Sequence, residues 1–270
     1  MLISDISRLA LAIQSKGELL VMRRSVYIIA LVLLALTSFT VSDARRANSF
    51  AAFAPPSGKI AIKCPSPLND ITDCPDTGCG PSLDPLLNQA KNVRTVGGTP
   101  ETMTIKQMQK LPDPVPGFKI GEPRDPLTSL GEGKLITVEA WAMVARKGGG
   151  ESCNCKLLSV ADTDNHIVLV APSVRNPTLV KNEPTSETAE FTPRVRLDHP
   201  NLARAKLQPL ITAGGGKLKV RITGQLMFDS EHSLGHHLKR KNNWEVHPVT
   251  GLKYCKKKTC SESDWKDIEQ

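Results

Sequence analysis

The stretch "KLITVEAWAMVAR", residues 134–146, decides how the rest of the chain is read. Ile136, Val138, Ala140, Ala142 and Val144 recur at every second position, the period of a strand with one face buried. The run is long for a single strand, and "KGGGES" then turns the chain. Working outward, "HIVLVAP" (166–172) reads as a second strand. "AEFTPRVRL" (189–197) reads as a third, interrupted by Pro193. "HPNLARAKLQPLITAGGG" (199–216) is a helix ended by glycines. "KLKVRITGQLMF" (217–228) and "WEVHPVTGLKYC" (244–255) supply two more strands. Three strands, a helix and two strands, with a long first strand, is the order of the five-stranded OB barrel. Gly224 would suit the sharp bend such a barrel needs. The fold expected is therefore mainly β, an OB-like barrel with one helix between strands three and four. A generic β-sandwich is the rival.

The bulk composition permits much and excludes little. The chain has 270 residues, 40% of them hydrophobic and 4% aromatic, with 35 cations against 27 anions. A formal charge of +8 allows an anionic polymer as partner without requiring one. Residues 22–44, "MRRSVYIIALVLLALTSFTVSDA", pair two arginines with an apolar core and small residues before a cleavage position after Ala44. The apolar run, residues 26–36, is too short for the roughly 20 residues that span a bilayer. An exported protein, periplasmic or extracellular, with no membrane span in its mature form is expected. Met22 is read as the true start.

The expected organisation is a signal peptide (1–44), a Pro-rich and largely irregular lead-in (45–129), the OB-like barrel (130–256) and a polar tail (257–270). Thirteen of the 20 prolines lie between Pro55 and Pro126, which argues against regular structure there. One short helix is expected within residues 104–111, stopped by Pro112.

All seven cysteines lie beyond residue 44, where disulfides are the default state of an exported chain. Cys74 and Cys79 flank the turn "CPDTGCG" and are expected to close it. In the OB order the end of strand five returns toward the end of strand one. Cys255 is therefore expected to join Cys153 or Cys155, with a local Cys255–Cys260 pair as the alternative.

The candidate site is the loop between strands four and five. "FDSEHSLGHHLKRKNNWEVHPV" (228–249) holds four of the six histidines. In an OB barrel this loop and the one between strands one and two flank the usual ligand groove. Asp229, Glu231, His232, His236, His237, Lys239, Arg240, Lys241 and His247 are the candidate ligand contacts. His232 and His236, four apart, would share a face of a helical turn and bind a metal such as Zn or Mn. Glu231 and His247 would complete the set. Against a metal, Gly235 weakens such a turn and no HExxH signature is present, so the expectation is no cofactor. On strand five, Trp244 and Val246 point one way, into the core, and Glu245 and His247 the other, His247 as a hydrogen-bonded surface histidine. Lys217, Lys219 and Arg221 form an outward row on strand four, without clear aromatic platforms for bases to stack on. Asp162 and Asp164 in "ADTDNH" lack the glycine and terminal Glu of a calcium loop and read as a polar turn. There is no GxSxG elbow, P-loop or dinucleotide fingerprint, which argues against the enzyme classes those motifs mark.

"CNCKLLSVADTDNHIVLV", "TPRVRLDHPNL", "VRITGQLMFDSEH" and "NNWEVHPVTGLKYC" together resemble segments of a group of exported bacterial proteins with a predicted OB-like barrel. The resemblance covers roughly residues 74–256. That group has no assigned activity, so the resemblance implies fold and export and carries no chemistry. The favoured expectation is an exported, non-enzymatic module that binds an unknown ligand or envelope partner through the groove. The alternatives are a metal-dependent hydrolase, acting on phosphodiesters, and a structural envelope protein resting on anionic polymers.

Overall fold

The computed structural model describes residues 60–114, 118, 121–232 and 239–270. The segment expected to be a signal peptide, and His236 and His237, lie outside the described residues. The strands are β1 (Ile60–Ile62), β2 (Gly80–Leu83), β3 (Glu101–Thr104), β4 (Leu135–Lys147), β5 (Asn165–Val170), β6 (Glu187–Phe191), β7 (Leu218–Phe228), β8 (Trp244–Cys255) and β9 (Lys266–Asp267). Three helices matter for the site: α1 (Pro85–Lys91), α2 (Pro193–Asp198) and α3 (Arg204–Ala213).

Five strands close into a barrel in the order β4-β5-β6-β8-β7, and a β4–β7 pairing completes the ring. The β6–β8 pairing is parallel, whereas the other four ring pairings are antiparallel. This is the OB-like arrangement, with α2 and α3 between the third and fourth barrel strands.

The alternation of β4 survives only to its bulge. Ile136, Val138, Ala140 and Ala142 are buried in the barrel core, then the register shifts between Ala142 and Val144. Ala145 takes the next core position, and Val144 joins Met143, Val168 and Val170 in a separate outer cluster. A bulge inserts one residue and so reverses the facing of all that follow. Gly224 sits where β7 shifts register against β8. A Cβ there would lie 2.4 Å from the carbonyl oxygen of Pro248, so the strands can approach this closely only at a glycine. Trp244 fills the core as expected. Its ring meets Phe228 edge-on at 5.3 Å, and its Nε1 donates to the Pro112 carbonyl at 2.8 Å.

The third strand is shorter than its sequence pattern. It ends at Phe191, and Pro193 instead opens α2, capped by the Thr192 hydroxyl, which accepts from the Val195 amide. Proline has no amide to donate to a ladder but fits the first turn of a helix. The short helix expected near residue 104 is present as Ile105–Met108, held by a capping box between Thr104 and Gln107.

The Pro-rich lead-in is built into the fold from Ile60 onward. The described residues from Ile60 to Gln270 belong to one compact unit. β3 pairs in parallel with β4, and α1 starts at Asp84, whose carboxylate accepts from the Leu86 and Leu87 amides. At the other end β9 pairs with β8, and Ile268 of the expected polar tail enters the core.

The cysteine pairing departs from expectation. The disulfides are Cys64–Cys79, Cys74–Cys155 and Cys255–Cys260, and Cys153 is free and buried. The Cys74–Cys79 turn and the long Cys255 bridge are therefore corrected. Cys255 pairs with Lys219 at the start of β7, whereas Cys153 and Cys155 fold back over the barrel onto the lead-in. The strand order was right, but the loop after β4 leaves the pole at which that strand ends. Among the described residues no helix is long and apolar enough to cross a membrane.

Candidate metal centre in the barrel groove

The outer face of β5, β6 and β8 is where the strand alternation becomes chemical. His166 on β5 lies opposite Glu190 on β6 in the ladder. Thr188 and Ala189 of β6 pair with Glu245 and Val246 of β8, which brings His247 alongside Glu190. The loop after β4 adds Glu151, Cys153 and Asp164. The loop after β7 adds Asp229, His232 and Arg240. The expectation of a surface histidine at His247 is overturned: the residue is 0% exposed, and so is Glu245. The cover comes from the lead-in. Gln225 Nε2 donates to the carbonyls of Ala90 in α1 and of His247, and Asn92 Nδ2 donates to that of Cys153.

The side chains form one continuous chain of contacts. Lys91 Nζ is 2.7 Å from Glu151 Oε2. His166 Nε2 lies 3.7 Å from Glu151 Oε1 and 3.4 Å from Glu190 Oε1. His247 Nδ1 is 3.2 Å from Glu190 Oε2 and 3.1 Å from Glu245 Oε1. Arg240 then joins Glu245 to Asp229 through two contacts of 2.6 Å, and Asp229 Oδ2 meets His232 Nδ1 at 2.8 Å.

Burial and charge pull these groups in opposite directions. Burial pushes the Asp164 carboxyl up to about 7, with the Glu151 charge adding to it. Burial also works against ionised Glu190, but His166 and His247 outweigh it and hold that carboxyl at about 2. His166, in turn, overcomes its own burial through Glu190 and Glu151 and rises to about 9. His247 is raised well above its usual range against burial, by Glu190 and Glu245. Burial, then the Asp164 and Glu151 charges, keep the Cys153 thiol protonated.

Three groups of donors lie close enough to share one ion: Glu151, Cys153 and Asp164; Glu151, His166 and Glu190; and Asp164, Glu190 and His247. They overlap, so the six residues form one patch. Asp164 Oδ1 and His247 Nε2 are buried and have no partner among the described residues, whereas Glu190 Oε2 and His166 Nε2 are met by the ion pairs above. Buried polar atoms without partners are uncommon, and two in one patch of charged groups call for an explanation.

The structure distributes the residues expected from the sequence unevenly. Asp229 and Arg240 are buried in the network, His232 is half-buried on Asp229, and His247 lies at its centre. The Glu231 amide donates to Asp229 Oδ1, while Lys239 and Lys241 are exposed. Of Glu231, His232 and His247, the described members of the expected metal set, His247 belongs to a group able to share an ion. Sequence reasoning missed Lys91, Glu151, His166 and Glu190, and it read Asp164 as part of a polar turn rather than as a site residue. The spacing of Asp164 and His166, two apart at the start of a strand, was the one local signal available. The rest come together only through the sheet register.

A cavity of about 130 Å³ reaches His166 from outside, rimmed by Arg146, Lys239 and Arg240. Comparison with protein-family models, with curated proteins and with solved structures returns no match for this chain.

Proposed function

We propose that the chain is an exported OB-like binding module whose groove holds a divalent metal ion. The observation that carries this is His247. Its Nδ1 lies against Glu245 Oε1 and Glu190 Oε2, while its Nε2 is buried without a partner among the described residues, and the residue forms one donor group with Asp164 and Glu190. An imidazole held by a carboxylate through one nitrogen is oriented to coordinate through the other. Glu190, His247, His166, Asp164 and Glu151 are the ligands in this reading. Lys91 positions Glu151 and Glu245 positions His247. Imidazole with carboxylate suits zinc, manganese or ferrous ion. Bound there, the ion would polarise an anionic oxygen brought into the groove.

Export is part of this reading. Its support is the segment 22–44, the resemblance to exported bacterial proteins, and three disulfides of the kind that persist in oxidising compartments. N-terminal sequencing of the mature protein should start at Arg45, and retention of residues 26–41 in a membrane fraction would refute it.

Metal analysis of the purified protein tests the centre. Near-stoichiometric zinc, manganese or iron is expected, and it should be lost in Glu190→Gln combined with His247→Gln. Adding metal at 100 times its Kd to chelator-treated protein should stabilise it by about 2.7 kcal/mol. Metal-free protein with no thermal response to any of the three ions would identify the patch as a self-compensated ion network.

A second reading, a metal-dependent hydrolase acting on phosphodiesters, is favoured by the cavity that opens on His166, where Lys239 stands beside the paired Arg146 and Arg240. Metal-dependent turnover of bis(p-nitrophenyl) phosphate, abolished by Glu190→Gln, would select it over simple binding.

A further inference from the structure

A second cationic site lies apart from the groove patch and shares none of its residues. A cavity of about 250 Å³ is lined by Trp141 on β4, Lys217 just before β7, Lys219 near its start, and Lys256, Lys257 and Lys258 after β8. A single water needs only about 10–15 Å³ of such space, so the cavity accepts a ligand of many atoms. No carboxylate lines it.

Lys217 and Lys219 are gathered on an indole, while Lys256, Lys257 and Lys258 are exposed on a disulfide-closed loop. Lys217 Nζ and Lys219 Nζ lie 5.6 and 5.4 Å from the centre of the Trp141 ring, within reach of its π face. Lys219 also donates to the Lys258 carbonyl. The three consecutive lysines are carried on the loop closed by Cys255–Cys260, and Lys256 lies over the Tyr254 ring at 5.7 Å. Of the five, Lys257 has a carboxylate partner, Asp264 at 2.6 Å. Lys217, Lys219, Lys256 and Lys258 have no ion pair among the described residues. A disulfide thus keeps cations together on one wall while an indole gathers two more, so an anion entering between them meets positive charge on both sides.

We propose that this cavity binds an oligophosphate, a compact anion of three or four charges, through Lys217, Lys219, Lys256 and Lys258. Charge complementarity selects the class, since four ammonium groups without a carboxylate partner among the described residues match the charge of pyrophosphate or triphosphate, although Lys217 also donates to Asn176 Oδ1. The Trp141 face is occupied by lysine heads, so it is not a free platform for a stacked base. The same chemistry could arrive as free oligophosphate or as the tail of a nucleoside triphosphate.

The test is titration of the full, chelator-treated protein, followed by tryptophan fluorescence and calorimetry. Removing metal first separates this site from the groove, because oligophosphates also bind divalent ions. Saturable binding of tripolyphosphate is expected, weakening as salt rises. It should weaken about tenfold or more in Lys217→Gln/Lys256→Gln/Lys258→Gln, whose far-ultraviolet circular dichroism should match the parent. The fluorescence change should vanish in Trp141→Phe while calorimetric binding persists. Equal affinity for tripolyphosphate and ATP would identify the phosphate chain as the ligand, and ATP binding at least tenfold tighter would overturn the reading of Trp141. Absence of saturable binding, or undiminished binding in the triple variant, would overturn the site itself. Neither result depends on whether the groove holds a metal.

Discussion

Lys91 Nζ lies 2.7 Å from Glu151 Oε2, tying helix α1 to the loop after β4 across 60 residues of sequence, with the lysine side chain only 2% exposed. Lys91 overcomes the cost of burial because Glu151 and Asp229 hold its charge. Lys91→Ala should therefore cost about 3–5 kcal/mol, mostly from leaving a buried carboxylate uncompensated. Lys91→Met with Glu151→Gln should recover much of that loss. Urea unfolding of chelator-treated proteins checks both, and a loss below about 1 kcal/mol for Lys91→Ala would contradict the ion pair as drawn.

Gly224 predicts a backbone effect. Its Cβ would lie 2.4 Å from Pro248 O and 2.7 Å from Val246 Cγ1, with no flexible side-chain end to yield at the carbonyl. Gly224→Ala should destabilise by about 1–3 kcal/mol or more. Gly251, where the nearest atom would be 3.7 Å away, should tolerate alanine within about 1 kcal/mol. Comparable losses at both sites would count against the close approach of β7 and β8.

Glu187 predicts a pH dependence. Both its carboxyl oxygens are buried without partners, and burial, opposed by Arg240 and Lys241, raises it to about 9. Between its unfolded value of 4.5 and about 9 the folded chain holds a proton that the unfolded chain lacks. Stability from this group is thus complete below 4.5 and declines as pH rises through 9, with a slope of at most about 1.4 kcal/mol per pH unit. Glu187→Gln should flatten that decline and match or exceed the parent at pH 8. A parallel pair of stability curves from pH 5 to 9 would exclude the effect.

The disulfides should differ in weight. Cys74–Cys155 closes a separation of 81 residues and in the chain-entropy model stabilises by up to about 4.5 kcal/mol, against about 2 kcal/mol for Cys255–Cys260. Replacing both partners by alanine should therefore cost more at the first pair than at the second. Non-reducing peptide mapping should find Cys153 alkylated only after unfolding, and a Cys255 peptide linked to Cys153 would refute the pairing.

The strand pattern of residues 134–255 determined the barrel, because alternation, turn residues and a glycine bend are local properties of the chain. The inward facing of Trp244 and Val246 was equally local. That His247 and Glu245 turn the other way was legible too. What lies over that face was not, since the cover is α1 and its disulfide-bound neighbours, more than 130 positions earlier. A proline count argued against order in that segment, but proline at the start of α1 is compatible with a helix and tertiary contacts supply the rest. The partners of His247 come from β5, β6 and two loops, and sheet register, not sequence spacing, places them within bonding distance. The cysteines show the same division. That most of the seven cysteines would pair, with at least one left over, was the expectation from their odd number and from the segment read as a signal peptide. Which ones meet depended on where the loop after β4 folds, and only the packing of the lead-in against the groove decided that.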